Sequence, residues 1–366
     1  MNRSICHISP LSIHSTRWIE AFREKGYNIS LITDSQTWAP QKPRNIPIYV
    51  LPTLTVENFG YTIVRNCASI ARILRKTDPH LIQLHTQYHY AFAIAPSHIP
   101  YILHSWGGEV LELSNMNILR KFLAKYVTRR AGRIVVDAEC MKKIWKSTGI
   151  SQRKIEIVPF GVDTTLFNPQ VKGRNVRRKL GIREEDIVVI STRPFFTHYD
   201  IECLINAIPL VVNKNKNIKF IVKGKGPKEV RIRELAKKLG VDRYIRFTSP
   251  VPYPETSQYL AASDIYVSTS FIDSTSVSLL EAMACGLPPI TTDIPGNREW
   301  IRNETNGLLY PPRDYNALAQ KITQLVENED QRKSFGEVSH RTVIARGSWE
   351  QCISKMETIY DSMIRA

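Results

Sequence analysis

The run from Asp264 to Thr292 constrains the fold more than any other part of the chain. Asp264-Ile-Tyr-Val-Ser-Thr269 is apolar and β-branched and reads as a strand. Ser274, Thr275 and Ser276 then offer N-cap hydroxyls, and Val277, Leu280 and Ala284 recur at helical spacing, so one helix face packs inward. Gly286 followed by Leu287-Pro-Pro stops that helix. Pro289-Ile-Thr-Thr292 reads as the next strand. A strand–loop–helix–strand unit of this kind belongs to a parallel α/β sheet.

Two carboxylates flank the start of the predicted helix. Asp273 lies in the loop and Glu281 on the helix, with seven residues between them. If all eight steps were helical they would span roughly 12 Å, about the reach from a ribose to a sugar across a diphosphate. The helix N-terminus between them offers unpaired N–H groups and a positive dipole end, which suit phosphate. Taken alone, two surface acids beside an ordinary helix explain the pattern equally well.

The same alternation runs through the rest of the chain. Ser4–Ser9 is a buried-type strand, His14–Lys25 a helix ended by Gly26, and Ile29–Thr33 the next strand. Leu81–His85, Tyr101–His104 and Arg133–Asp137 are further strands, and a Pro- and Gly-punctuated passage, Ile157–Pro169, reads as a linker. Beyond it, Asp186–Arg193 is a strand, Ile201–Val212 a helix, Phe220–Lys223 a strand running into Gly224-Lys-Gly226-Pro, Val230–Leu239 a helix and Ile245–Ser249 a short strand. With 366 residues there is room for two domains of ordinary size.

These motifs resemble one known family. Leu279-Leu-Glu-Ala-Met-Ala-Cys-Gly-Leu-Pro288, preceded by Asp273, looks like the E-x7-E region of glycosyltransferase family 4. Pro159-Phe-Gly-Val-Asp163 through Phe167-Asn-Pro169 is similar to that family's interdomain passage. The resemblance implies the GT-B fold, α/β with two Rossmann-like parallel-sheet domains facing across a cleft. It implies an acceptor-binding domain over 1–165 and a nucleotide-sugar-binding domain over 166–348. A last helix, about 349–366, is expected to return onto the first domain. It also implies a retaining glycosyltransferase that moves a sugar from a nucleoside-diphosphate sugar to a hydroxyl acceptor, in surface polysaccharide, lipopolysaccharide or glycolipid synthesis.

Carried over residue by residue, the resemblance assigns the ribose to Glu281, the diphosphate to Arg193, and the transferred sugar to Asp273 with the Thr275 and Ser276 backbone, with Ser274 also on the donor-binding side. Arg193 ends a strand, where α/β proteins bind ligands, and a guanidinium grips phosphate in a bidentate fork. Gly224, Lys223 and Lys225 belong to a loop similar to the family's G-x-G-P; both lysines also suit a solvated surface. Trp106-Gly107-Gly108-Glu109 falls where the family often carries His-Gly-x-Asp. There Trp106, Gly107, Gly108 and the neighbouring His104 are assigned to the sugar and acceptor side, although Trp106 also suits a core, and His104 and His85 also suit buried, satisfied positions. Two departures stand out: the first acid is Asp273 rather than Glu, and His198 replaces the usual lysine five residues after Arg193.

Charge and composition bound the partners. The net charge is +16 with a pI near 9.6, which calls for an anionic partner or a highly solvated surface. Nucleic acid is disfavoured by the lack of zinc-finger, RNP or basic-zipper signatures, leaving a diphosphate donor and an anionic membrane surface. Asn117–Arg133 reads as a basic amphipathic helix, either membrane-facing or packed on the sheet. The six cysteines are scattered without C-x-x-C spacing, and there is no H-E-x-x-H or D-x-D. No metal and no cofactor are therefore expected. With no signal-peptide pattern and no long apolar run, a cytoplasmic chain, peripheral at the inner membrane face, is expected. The alternative is a nucleotide-sugar-binding protein of the same fold that has lost turnover.

Overall fold

The computed structural model describes residues 3–34, 43–53, 59–85, 90–94, 97–106 and 125–365. It divides into two compact units, residues 1–159 with 352–366, and residues 160–351.

The first unit is built on seven strands: β1 (Ser4–Ile8), β2 (Asn28–Asp34), β3 (Ile48–Leu51), β4 (Leu81–His85), β5 (Tyr101–Ser105), β6 (Arg133–Val136) and β7 (Ile155–Ile157). They pair in the order β3-β2-β1-β4-β5-β6-β7, every described pair parallel. β4 and β5 are buried at every position, as expected of parallel strands covered by helices on both faces. The helix Ile13–Glu24 opens with a capping box between Ser12 and Ser15. It ends where Gly26 adopts φ +85°, a left-handed conformation that suits glycine. Trp18, Ile19 and Phe22 of this helix are buried.

The last helix, Trp349–Ile364, places Tyr360 in the first unit. Tyr360 is fully buried, its ring 4.5 Å from that of Phe22, and its hydroxyl donates to Gln83 Oε1. Lys25 pairs with Glu357 at 2.7 Å and Arg3 with Asp361 at 2.8 Å, fastening the same helix at the surface.

The second unit holds β8 (Ile187–Ser191), β9 (Ile218–Lys223), β10 (Ile245–Thr248), β11 (Ile265–Ser268), β12 (Pro289–Thr292) and β13 (Leu308–Tyr310). Their order is β10-β9-β8-β11-β12-β13, again all parallel. Each sheet thus reverses its winding once, between β1 and β4 in the first unit and between β8 and β11 in the second. Ligands of open α/β sheets bind at the carboxyl ends of the strands flanking such a reversal.

Several elements differ from those expected. The helix Phe59–Thr77 and strands β3, β7 and β13 were not anticipated. Of the basic helix expected over 117–133, residues 125–130 are helical, 117–124 lie outside the described residues, and Arg133 already starts β6. Val127 and Ala131 join the core while Lys125, Arg129 and Arg130 stay exposed, so the described part packs on its unit. The helix between β11 and β12 begins only at Val277. As expected, Asp273 lies in the loop, three residues before the Ser276 cap, so the eight steps to Glu281 are not all helical and the span of roughly 12 Å does not apply to them. Glu281 sits about one and a half turns into the helix.

Candidate functional site

In the second unit, Arg193 follows β8 and Asp273 follows β11, so the two stand on opposite sides of the sheet's reversal point. They meet there: Arg193 Nη2 donates to Asp273 Oδ2 at 2.6 Å. Nη1 of the same guanidinium donates to Ser276 Oγ at 2.6 Å and Ser278 Oγ at 2.9 Å. The guanidinium carbon lies 4.0 Å from the Tyr199 ring centroid, a cation–π contact. Tyr266 braces the assembly from β11, its hydroxyl 2.8 Å from Ser278 Oγ. Arg193 is only 6% exposed, and its Nε has no hydrogen-bond partner. Burial alone would lower its pKa; Asp273, with Tyr199 and Tyr266, more than compensates and holds it above the ordinary arginine value.

The helix Val277–Ala284 is oriented by the same residues. Ser276 is its N-cap, and the Oγ that receives Arg193 also accepts from Leu279 N. Its far end turns through Gly286 at φ +78°. Glu281 is buried on this helix, and Ser274, Thr275 and Ser276 are buried ahead of it.

Lys223 ends β9, is 8% exposed, and donates to Thr256 Oγ1 at 3.2 Å. Burial lowers its pKa, while Glu281 and Glu255 pull it back up. A lysine that feels Glu281 through a buried path belongs to the same electrostatic cluster. Lys225 is exposed and distinct from it, although its carbonyl accepts from Phe195 N.

The glycine loop has a packing reason. A Cβ on Gly224 would lie 2.5 Å from Arg193 O, and one on Gly226 would lie 2.6 Å from Phe195 O. The two glycines let this loop press against the backbone that carries Arg193. His198, half-buried, has its pKa lowered by burial and by Arg193, against a pull from Asp273.

The first unit's reversal point carries imidazoles instead. His7 on β1 and His85 on β4 meet across it, Nδ1 to Nε2 at 3.1 Å, with ring centroids 5.4 Å apart. His104, beside His85 on β5, bonds Gln83 at 2.8 Å. Trp106 is half-buried, with ring centroids 5.2 Å from His85 and 6.3 Å from His104. Burial pulls His7 and His104 down to about 3 and His85 well below the usual histidine range. His14, also near Trp106, falls to about 4 through burial and then Arg17. These rings are therefore neutral at ordinary pH. His7 Nε2 and His85 Nδ1 have no hydrogen-bond partner. Gly107 and Gly108 lie outside the described residues.

Arg193, Asp273, Ser274, Thr275, Ser276, Glu281, Lys223 and Gly224 are thus gathered in one unit, and His104 with Trp106 in the other. Tyr199, Ser278, Tyr266, Thr256 and His7 were missed. Tyr199 and Ser278 lie next to residues already singled out, but only the fold shows which way they face. Among the described residues, no group of three or more His, Cys, Asp or Glu side chains is arranged to hold a metal ion. None of the described helices is long and apolar enough to cross a membrane.

Two family models divide the chain. Residues 11–166 match the one described as Glycosyltransferase Family 4, and residues 173–341 the one described as Glycosyl transferases group 1. A putative glycosyltransferase of Bacillus subtilis, EpsD, is 22% identical over 97% of this chain and 94% of its own length. The N-acetyl-alpha-D-glucosaminyl L-malate synthase of Bacillus anthracis is 28% identical over 52% of this chain, and the match spans about half of that relative's length (49%). Among solved structures, the sucrose-phosphate synthase of Thermosynechococcus elongatus superposes with a TM-score of 0.86 at 18% identity over 100% of both chains. HepE of Anabaena, solved with UDP-glucose, gives 0.81 at 16% identity over 98% of this chain and 99% of its own.

Proposed function

This chain belongs to the family 4-type glycosyltransferases of the GT-B fold, and on that premise we propose that it moves a sugar from a nucleoside-diphosphate sugar to a hydroxyl acceptor with retention and without a metal. The observation that carries this reading is the pair of buried Arg193 and half-buried Asp273 at the reversal point of the second sheet, tied through Ser276 to a helix N-terminus. Named solved relatives of the same fold hold UDP and UDP-glucose.

In this proposal the donor's diphosphate takes the face of Arg193 now occupied by the Asp273 carboxylate, adding the unsatisfied Nε–H. The freed Asp273 turns to hydroxyls of the transferred sugar. Glu281, electrostatically supported by Lys223, accepts hydrogen bonds from the ribose. As the sugar–phosphate bond breaks, charge grows on the leaving phosphate beside Arg193 and the Ser276-capped helix, which are already oriented for it. The leaving phosphate takes the acceptor's proton, and the protein supplies orientation and charge. The acceptor is a carbohydrate or lipid-linked hydroxyl on the side of Trp106 and His104. The excess of lysine and arginine supports a peripheral site on an anionic membrane.

Thermal melting with UDP-, GDP- and ADP-sugars tests the donor. A donor that binds the folded state alone and is present at about a hundred times its Kd adds ~2.7 kcal/mol of stability, so one class should raise the melting temperature by several degrees. No rise with any of them would refute the reading. Glu281→Ala should keep the circular dichroism of the parent and lose transfer by about a hundredfold or more; unchanged turnover in a folded variant would remove Glu281 from the site. A second reading, donor binding without turnover, draws on the two departures from the family pattern, Asp273 in place of Glu and His198 in place of Lys. Sugar transfer to any acceptor, or slow hydrolysis of the bound donor, excludes it.

A further inference from the structure

A concavity of about 580 Å³ lies on the second unit, away from Arg193, Lys223, Asp273 and Glu281, none of which lines it. One wall is the last two turns of the helix Glu329–Arg346, where Val338, Arg341, Thr342 and Ala345 share a face at spacings of three and four. The other wall is the segment from Arg298 to Asn306 that leads into β13.

The arginines here are not equivalent. Arg298 is engaged by Asp293, with Nη2 to Oδ2 at 2.8 Å. Arg302, Arg341 and Arg346 are exposed, and no described carboxylate lies within ion-pair distance of any of them. Elsewhere in this unit exposed arginines do find acids: Arg174 reaches Glu184 and Arg183 reaches Asp186. Glu299 is the one carboxylate lining the concavity, against three unclaimed guanidiniums.

The floor is also built. Trp300 is 4% exposed, the Arg346 guanidinium stacks over it at 4.9 Å, and Gly347 leaves room for it, since a Cβ there would come 3.0 Å from the ring. Trp300 Nε1 donates to Thr275 Oγ1 at 3.4 Å, so the floor rests on the loop that precedes Ser276. The hydroxyl of Thr342 and the amide of Asn306 add neutral partners to the lining.

We propose that this concavity binds a phosphate-bearing ligand, with the phosphoryl group held by Arg302, Arg341 and Arg346. Guanidinium groups bind phosphate oxygens in planar, bidentate fashion, and three arginines line a space the size of an ordinary small-ligand pocket. A nucleic-acid strand fits less well, since it needs an open aromatic platform for stacking and Trp300 is buried under Arg346. The phosphate is that of a lipid head group or of a soluble phosphate ester.

The two sources separate in one experiment on the full chain. Calorimetry with inorganic phosphate and flotation with phosphatidylcholine vesicles, with and without phosphatidic acid, are compared between the parent and an Arg302→Gln/Arg341→Gln variant. The parent is expected to bind at least one probe, and the variant to lose about tenfold or more in affinity with an unchanged melting temperature. Binding to the anionic vesicles alone makes the ligand a head group; binding to inorganic phosphate as well makes it a soluble ester. A parent that binds neither probe, or a variant that keeps full affinity, overturns the proposal. Should the double variant melt early, Thr342→Glu puts a carboxylate into the same concavity and must produce the same loss.

Discussion

Each unit winds its sheet outward from one reversal point, and the two points are filled with opposite chemistry. Between β8 and β11 stands an ion pair, Arg193 with Asp273, held by two serine hydroxyls and a tyrosine face. Between β1 and β4 stand two neutral imidazoles, His7 and His85. Arg193 keeps its charge in spite of burial because Asp273 compensates it. The imidazoles give up their charge because nothing opposite lies near enough to stabilise it. The same topology therefore yields one site prepared for an anion and one that burial keeps neutral.

The largest test of this contrast removes one half of the ion pair. Arg193→Ala leaves the Asp273 carboxylate without its compensating charge and should cost about 3 kcal/mol of stability in urea titration, along with donor binding. Asp273→Asn should do the reverse for binding, since it removes the carboxylate that competes for Arg193. A nucleoside diphosphate should bind it about tenfold tighter while transfer falls. If Asp273→Asn weakens diphosphate binding instead, the carboxylate is not a competitor and the exchange proposed for the donor is wrong.

The imidazoles predict a pH dependence centred on the first unit. Below about pH 6.5 an unfolded histidine takes up a proton that buried His7 and His104 refuse until about pH 3. The unfolded state thus binds more protons, and stability falls as pH drops through that window, by ~1.4 kcal/mol per pH unit for each such histidine. The second unit's His198 is only half-buried and its lowering is opposed by Asp273, so the first unit should unfold first on acidification. His104→Gln should flatten the slope; an unchanged slope would show that the cluster does not control acid stability.

The smallest effect is expected at His198. Its ring lies tilted against Tyr199, centroids 4.0 Å apart, and half-buried beside Arg193. His198→Lys adds a cation for the diphosphate but sets it against Arg193, so a rise in donor affinity of no more than about fivefold is expected. A gain of a hundredfold would mean that the diphosphate lacks a second cation, and that Lys223 does not supply one.

Much of the second unit was legible because its signals are local. Gly286, Leu287-Pro-Pro and the serine run bound one helix, and β-branched runs mark β8, β9, β11 and β12. Arg193 and Glu281 could be singled out from short motifs. Their partners could not, because Ser278, Tyr199 and Thr256 become neighbours only when the strands are ordered. The span of helix between the two acids was overestimated for a local reason as well: three hydroxyl residues in a row each suit a cap, and only Ser276 takes that place. The first unit was less legible. β3 is a four-residue strand after a proline-rich stretch, and His7 shows its role only once β1 lies beside β4.

Tyr360 carries one more consequence, for the order in which the chain acquires its shape during synthesis. The second unit is one continuous run, 160–351, whereas the first needs residues 352–366 to complete it. Until Tyr360 has left the ribosome, Phe22 and Gln83 lack the ring and hydroxyl that cover them. The part made first is thus the part finished last, and the middle of the message encodes the unit that can close early. A released chain truncated after residue 351 should protect the second unit from protease while its amino-terminal portion is still cut.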